Sequence, residues 1–152
     1  MISKPERFMI AAAEAGGDHS LTAFDAALLN AGIGNVNLVK ISSILPPGCE
    51  EEKAALEFPP GAFVPAAYGS ICSEEEGDVI AAAVGVGLSK ESFGIIMEHA
   101  GHCRASQAQQ TVEEMIRESF KMRGKELIEI RSKSVEHTVE KAGAAVAAVV
   151  LW

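Results

Sequence analysis

At 152 residues and 48% hydrophobic content, the chain is large enough for a single domain with a substantial core. Only 5% of residues are aromatic, so Ala, Val, Ile and Gly must fill that core, which suits sheets packed face to face. A net charge of −8 argues against nucleic-acid binding, and three cysteines without a CxxC pair argue against a disulfide framework and for a reducing cytoplasm.

Taken in chain order, the apolar run Phe8–Ala13 predicts a short buried strand and is too short for a leader peptide. Gly16–Gly17–Asp18 turns the chain into a predicted helix over Ser20–Ala31. Leu21, Phe24, Leu28 and Ala31 share one face of that helix, and Gly32 supplies a left-handed stop. A strand is predicted over Asn35–Ile44, closed by Pro46–Pro47, which lack amide donors. Gly48–Pro60 reads as a loop with a slightly helical EEEKAALE interior.

Strands follow over Ala62–Ser73, with Pro65 near an edge or bulge, and over Val79–Leu88 and Gly94–His99. Ser106–Gln109 reads as a capping box opening a helix that Gly124 ends. Its inner face is predicted to hold Ala108, Val112, Met115, Ser119 and Met122, with Ile116 and Phe120 alongside. Leu127–Glu140 reads as a long strand with a bulge where its apolar phase switches between Ser134 and Val135. Lys141–Gly143 then turns the chain into a last strand over Ala144–Trp152, too short to span a bilayer. The class is α+β, and the element order suggests a duplicated strand-helix-strand-strand unit.

The organising stretch is NVNLVKISSILPP at 35–47, where a strand runs into Ser42–Ser43. One reading of that pair is a turn or a weak cap. The other is a peptide bond that breaks itself. A serine hydroxyl attacks the preceding carbonyl, provided that the backbone is strained and the oxyanion is held. β-Elimination from the resulting ester leaves a dehydroalanine at 43, and its hydrolysis loses ammonia and leaves a pyruvoyl group, a built-in electrophile for amines. Glu98 closes the apolar run Gly94–Met97. It is either an exposed strand-end glutamate or, on the face of Ile96, a carboxyl kept protonated enough to act as an acid. Asp25 borders the apolar face of the first helix, and Thr22-x-x-Asp25 also reads as a capping box.

Several stretches resemble the pyruvoyl-dependent arginine decarboxylases of archaea: FDAALLNAGIGNVNLVKISSILPP at 24–47, VPAAYGSICS at 64–73, GIIMEHAGHC at 94–103 and VEHTVEKAGAAVAAVVLW at 135–152. The resemblance implies a four-layer α/β/β/α sandwich and self-cleavage into 1–42 and 43–152. It also implies decarboxylation of arginine to agmatine with a pyruvoyl group from Ser43, without pyridoxal phosphate or metal. It assigns Ser42 to the cleavage site, Glu98 to proton donation and Asp25 to the substrate guanidinium. Asn37 holds an oxyanion or the substrate carboxylate, and Leu28, Gly34 and Val36 form pocket walls. Trimers with sites at subunit boundaries, or pairs of trimers, are implied as well. Two other readings stay open: decarboxylation of a different amino acid, and an unprocessed, non-catalytic oligomeric binding module for a cationic metabolite.

Other signals are weaker. His99, His102 and Cys103 offer metal-binding atoms, but a strand places 99 and 102 on opposite faces. Gly32-x-Gly34 and Gly85-x-Gly87 are incomplete dinucleotide fingerprints. Ser134, Glu136 and His137 lie too close along one strand to form a triad.

Overall fold

A computed structural model describes residues 3–152, and residues 1–2, at the head of the N-terminal stretch, lie outside it. The elements are β1 (Arg7–Gly17), α1 (Ser20–Asn30), β2 (Asn37–Lys40), β3 (Ile44–Leu45), β4 (Glu50–Glu51), β5 (Phe63–Ser73), β6 (Val79–Leu88), β7 (Gly94–Gly101), α2 (Ala105–Met122), β8 (Glu129–Thr138) and β9 (Ala142–Leu151). They form an α+β fold with a five-stranded sheet in the order β2-β5-β9-β1-β4 and a four-stranded sheet in the order β3-β7-β6-β8.

The two sheets meet through small and branched side chains. Ala145, Ala147 and Val149 of β9 pack in one cluster with Ile80, Ala82, Val84 and Val86 of β6. The alternate β9 residues Ala144 and Val146 instead pack against Ala23 and Ala27 of α1. On β6, Ala81 and Ala83 meet Val112, Ile116 and Phe120 of α2. The period-2 alternation of each strand thus gives one face to the other sheet and one to a helix, which is why these strands read as apolar throughout.

Several boundaries differ from the sequence expectation. β1 runs past Ala13 because it pairs with β9 from Phe8 opposite Leu151 to Gly17 opposite Ala142, so Gly16–Gly17 finish a strand rather than form a turn. The buried stripe of α1 is Ala23 and Ala27, whereas Leu21 is 76% exposed. Alanines let the helix approach the alanine strand β9 closely. Gly32, at φ +79°, is the left-handed residue after the helix, as expected.

The predicted strand over 35–44 is two strands, because β2 pairs parallel with β5 in one sheet and β3 pairs antiparallel with β7 in the other. EEEKAALE is not helical. Glu50–Glu51 pair with Arg7–Phe8 instead, and the Glu52 amide continues that ladder to the Phe8 carbonyl at 2.8 Å. Pro65 sits just before the β5–β9 ladder begins at Ala66 opposite Val150, so its missing N–H breaks no bond on that side.

The first turn of α2 starts at Ala105, not Ser106. The Gln107 side chain accepts the Arg104 amide at 2.9 Å, so the capping residues lie two positions earlier than predicted. Its buried face is Ala108, Val112, Ile116, Ser119 and Phe120. Met115 is half-buried and Met122 is 74% exposed. No bulge interrupts β8, whose register against β6 is continuous from Glu129 to Thr138. The phase switch arises because β8 feeds both sides, Ile130 packing with the α2 cluster and Val135 with the inter-sheet cluster.

Candidate active site

The chain changes sheets at Ile41–Ser43. Upstream, the Ile41 amide donates to the Ala66 carbonyl at 3.0 Å, a last rung of the β2–β5 ladder. Downstream, the Ile96 amide donates to the Ser43 carbonyl at 2.7 Å, and Leu45 is buried between the sheets. Ser42–Ser43 is therefore the short bridge between two anchored strand ends on different sheets, with Ser42 exposed and Ser43 half-buried. Neither serine has a positive φ.

Glu98 lies two residues beyond Ile96 on β7, on the same face and about 6.6 Å along the strand. Its stem lies close to Gly69 of β5, where a Cβ would stand 3.4 Å from Glu98 Cγ. Burial pushes the half-buried Glu98 carboxyl above the ordinary carboxylate range, and the charge of Lys40 pulls partly against that rise. The Lys40 ammonium sits 4.8 Å from the centroid of the Tyr68 ring. Lys40 and Tyr68 meet on the helix-facing side of the five-stranded sheet, whereas Glu98 faces Gly69 from the side that meets the other sheet.

The remaining candidates lie on α1, on β2 and on the segment between them. Asp25 is exposed on α1, between Phe24 and Leu28, which pack with Tyr68. It does not cap the helix. His19 occupies the N-cap, and the Thr22 hydroxyl donates to the His19 carbonyl at 3.0 Å. Asn37 Nδ2 donates to the Gly61 carbonyl at 3.0 Å. Leu28 and Val36 pack on the outer face of the five-stranded sheet. Gly34 fits against Leu29, whose Cδ2 would be 2.6 Å from an added Cβ. Gly34 and Val36 also line a cavity of about 400 Å³ with Leu56 and Phe58.

The other candidates have separate partners. Ser134 donates to Gln109, Glu136 accepts from Arg104 and the Ala105 amide, and His137 pairs with Glu14 of β1. Among the described residues no metal-binding group of three or more His, Cys, Asp and Glu assembles. No helix among them is long and apolar enough to cross a membrane. Sequence reasoning singled out neither Lys40 nor Tyr68, the single tyrosine of the chain, whose contact only the fold creates.

Fold and site together define a class: an α+β scaffold with a serine pair at a sheet-to-sheet crossover and a half-buried glutamate two residues further along the strand that binds it. The chain belongs to the pyruvoyl-dependent arginine decarboxylase family, whose model matches residues 7–152. A relative of that name from Methanocaldococcus jannaschii is 50% identical over 151 residues, covering 97% of this chain and 90% of the relative. Relatives of the same name from Thermococcus kodakarensis and Pyrococcus abyssi are 45% and 46% identical, each covering 97% of this chain and 96% of the relative. The family is pyruvoyl-dependent, and the residues around Ser43 fit such a group: a serine at an accessible bridge, its carbonyl already fixed, and a carboxyl of raised pKa on the strand that fixes it.

Proposed function

We propose that this chain decarboxylates arginine to agmatine and carbon dioxide, using a pyruvoyl group made from its own Ser43. The observation that carries this reading is the Ser42–Ser43 bridge between two sheets, with Glu98 two residues beyond the amide that holds Ser43. Maturation begins when Ser43 Oγ attacks the Ser42 carbonyl and the amide becomes an ester. β-Elimination releases the Ser42 carboxylate and leaves a dehydroalanine at 43. Water then replaces its nitrogen, which leaves as ammonia. The products are 1–42 and 43–152. The ladders on either side keep both chain ends in place during these steps.

When present, the pyruvoyl ketone supplies an amine-reactive electrophile and an electron sink. The chain's own side chains do the rest. Asp25 holds the guanidinium, because a carboxylate matches its planar fork. Glu98 delivers a proton to the carbon that carbon dioxide leaves. A carboxyl of raised pKa retains that proton closer to neutrality. Asn37 orients the reacting end, and Leu28, Gly34 and Val36 wall the pocket.

The supporting architecture is a four-layer α/β/β/α stack, with α1 on the five-stranded sheet and α2 on the four-stranded one. A duplicated unit draws no support from the topology, since β9 from the second half lies between β5 and β1. Asp25 has no hydrogen-bond or ion-pair partner among the described residues. An exposed carboxylate free of partners within its own subunit is available to a neighbouring one, which supports sites shared between subunits of a trimer or a pair of trimers. Intact mass after purification tests the core of this reading: fragments 1–42 and 43–152 are expected, the latter with a blocked N-terminus. One intact chain that still decarboxylates arginine would overturn it.

A further inference from the structure

Gly69 stands in the middle of β5, and a glycine there weakens a strand unless something needs the missing side chain. Its own backbone does not. The β5–β9 register runs without a bulge from Ala66 opposite Val150 to Ser73 opposite Gly143, with Gly69 opposite Ala147. Its φ is not positive, so the conformation suits any residue. What remains is a close approach, and the neighbour is Glu98. A Cβ at 69 would stand 3.4 Å from Glu98 Cγ, 3.5 Å from Glu98 Cβ and 3.5 Å from the His99 carbonyl carbon. Strand alternation sets Gly69 with Ala67 and Ile71 on the face turned to the other sheet, and Glu98 with Ile96 and Ala100 on the face that meets it. The stem of Glu98 thus lies on the bare main chain of β5.

We propose that Gly69 is a positioning residue for Glu98: its bare main chain seats the glutamate stem and so fixes where the carboxyl stands relative to the serine junction. This rests on the decarboxylase reading above. A glutamate stem in open solvent samples several rotamers, and each swings the carboxyl to a different place. Held at Cβ and Cγ against β5, the stem keeps few of them. Proton delivery depends on that placement, because donor and acceptor must meet within hydrogen-bond reach. The Ile96 amide holds the Ser43 carbonyl at 2.7 Å, so β7 carries both the anchor of the reacting residue and, two positions on, the acid. β7 fixes the Glu98 backbone but not its side chain, and the seat on β5 supplies that remaining constraint. A side chain larger than a methyl at 69 would take the space of the Glu98 methylenes, and the carboxyl would move with them.

The test uses Gly69→Ala and Gly69→Val, each alone and combined with Glu98→Gln, with cleavage measured by intact mass and rates normalised to pyruvoyl-bearing chain. A methyl at 69 just reaches contact, so Gly69→Ala is expected to lower kcat by roughly fivefold, and the branched Gly69→Val by about 10²-fold. The arginine KM should stay within about threefold, because capture of the substrate does not use Glu98. In the Glu98→Gln background the same substitutions should change kcat by less than about twofold, since a displaced glutamine has no proton to misplace. Losses of equal size in both backgrounds would overturn the proposal, because position 69 would then act on the fold and not through Glu98. An unchanged kcat in Gly69→Val would overturn it as well. So would failure of either variant to cleave at Ser42–Ser43, which would place Gly69 in maturation. Where Gly69→Val does not fold, the Gly69→Ala cycle alone decides between coupled and equal losses. A cleaved wild type that does not decarboxylate arginine would instead defeat the function proposed above.

Discussion

At the scale of single residues, the two proposed chemistries fall on different side chains and can be separated. Maturation needs the Ser43 hydroxyl, so Ser43→Ala is expected to leave one inactive chain. Two fragments at the same junction would rule out the acyl shift. Turnover needs a proton on carbon, and glutamine keeps the shape of Glu98 while removing its acid. Glu98→Gln should still cleave, with kcat reduced by about 10²–10⁴. Near-normal turnover would make Glu98 a bystander, and failure to cleave would move its role to maturation. The sign of the pH dependence follows from burial. A raised pKa keeps the acid form to higher pH, and that form is lost as pH climbs through the folded-state value. The kcat profile should therefore fall on its alkaline side, and Lys40→Met, by removing the opposing charge, should move that limb to higher pH. A limb that stays fixed in Lys40→Met would separate Lys40 from Glu98. At the other end of the substrate, Asp25→Asn should fold and mature normally, yet lose roughly 30-fold or more in kcat/KM for arginine. Unchanged KM and unchanged preference over lysine would end its proposed role.

Among the elements, local sequence rules succeed where one strand or helix decides its own fate. They fail where pairing decides. The ranges of β6 and α1 were legible from small apolar residues and from the glycine that stops the helix. The division of 35–44 into β2 and β3 was not. Both halves have strand-like residues, and only the identity of their partners, β5 and β7, shows that the chain changes sheets at the serines. β4 was hidden for a similar reason, since two glutamates carry no strand signal and are ordered by the edge of β1. The apolar face of α1 was misread because bulk was taken as the mark of burial, whereas the contact with β9 is made by alanines. Ser42, Ser43 and Glu98 stand out as candidates in the sequence alone, but Lys40 and Tyr68 become neighbours only through parallel pairing of β2 with β5. Close packing at this layer is itself testable. A Cβ on Gly17 would lie 2.9 Å from the Ala23 backbone nitrogen, which cannot rotate away. Gly17→Ala should therefore cost about 1–3 kcal/mol, read as a lower urea midpoint. An unchanged midpoint would show that β1 and α1 can separate without loss.

For the whole molecule, the position of the proposed cut matters as much as its chemistry. The fragment 1–42 would carry β1, α1 and β2, and 43–152 everything else. β1 is not at an edge of the sheet. It lies between β9 and β4 and pairs with β9 along its length from Phe8 to Gly17. Phe8 and Ile10 reach into the inter-sheet core, and Ala23 and Ala27 of α1 cover β9. Breaking Ser42–Ser43 removes one covalent link but none of these contacts, and it leaves the β2–β5 and β3–β7 ladders on opposite sides of the break. The two fragments should therefore stay together in native buffer and part only in denaturant. Native mass spectrometry should show one copy of each per protomer, with protomers in multiples of three if sites are shared between subunits. Exposed Phe63 and Leu21, at 75% and 76%, are apolar surface available for that assembly. An active monomer at assay concentration would remove the shared-site arrangement. Dissociation of 1–42 on cleavage would be the deeper failure, because it would mean that the continuous chain, and not the burial of β1, holds the sheets together.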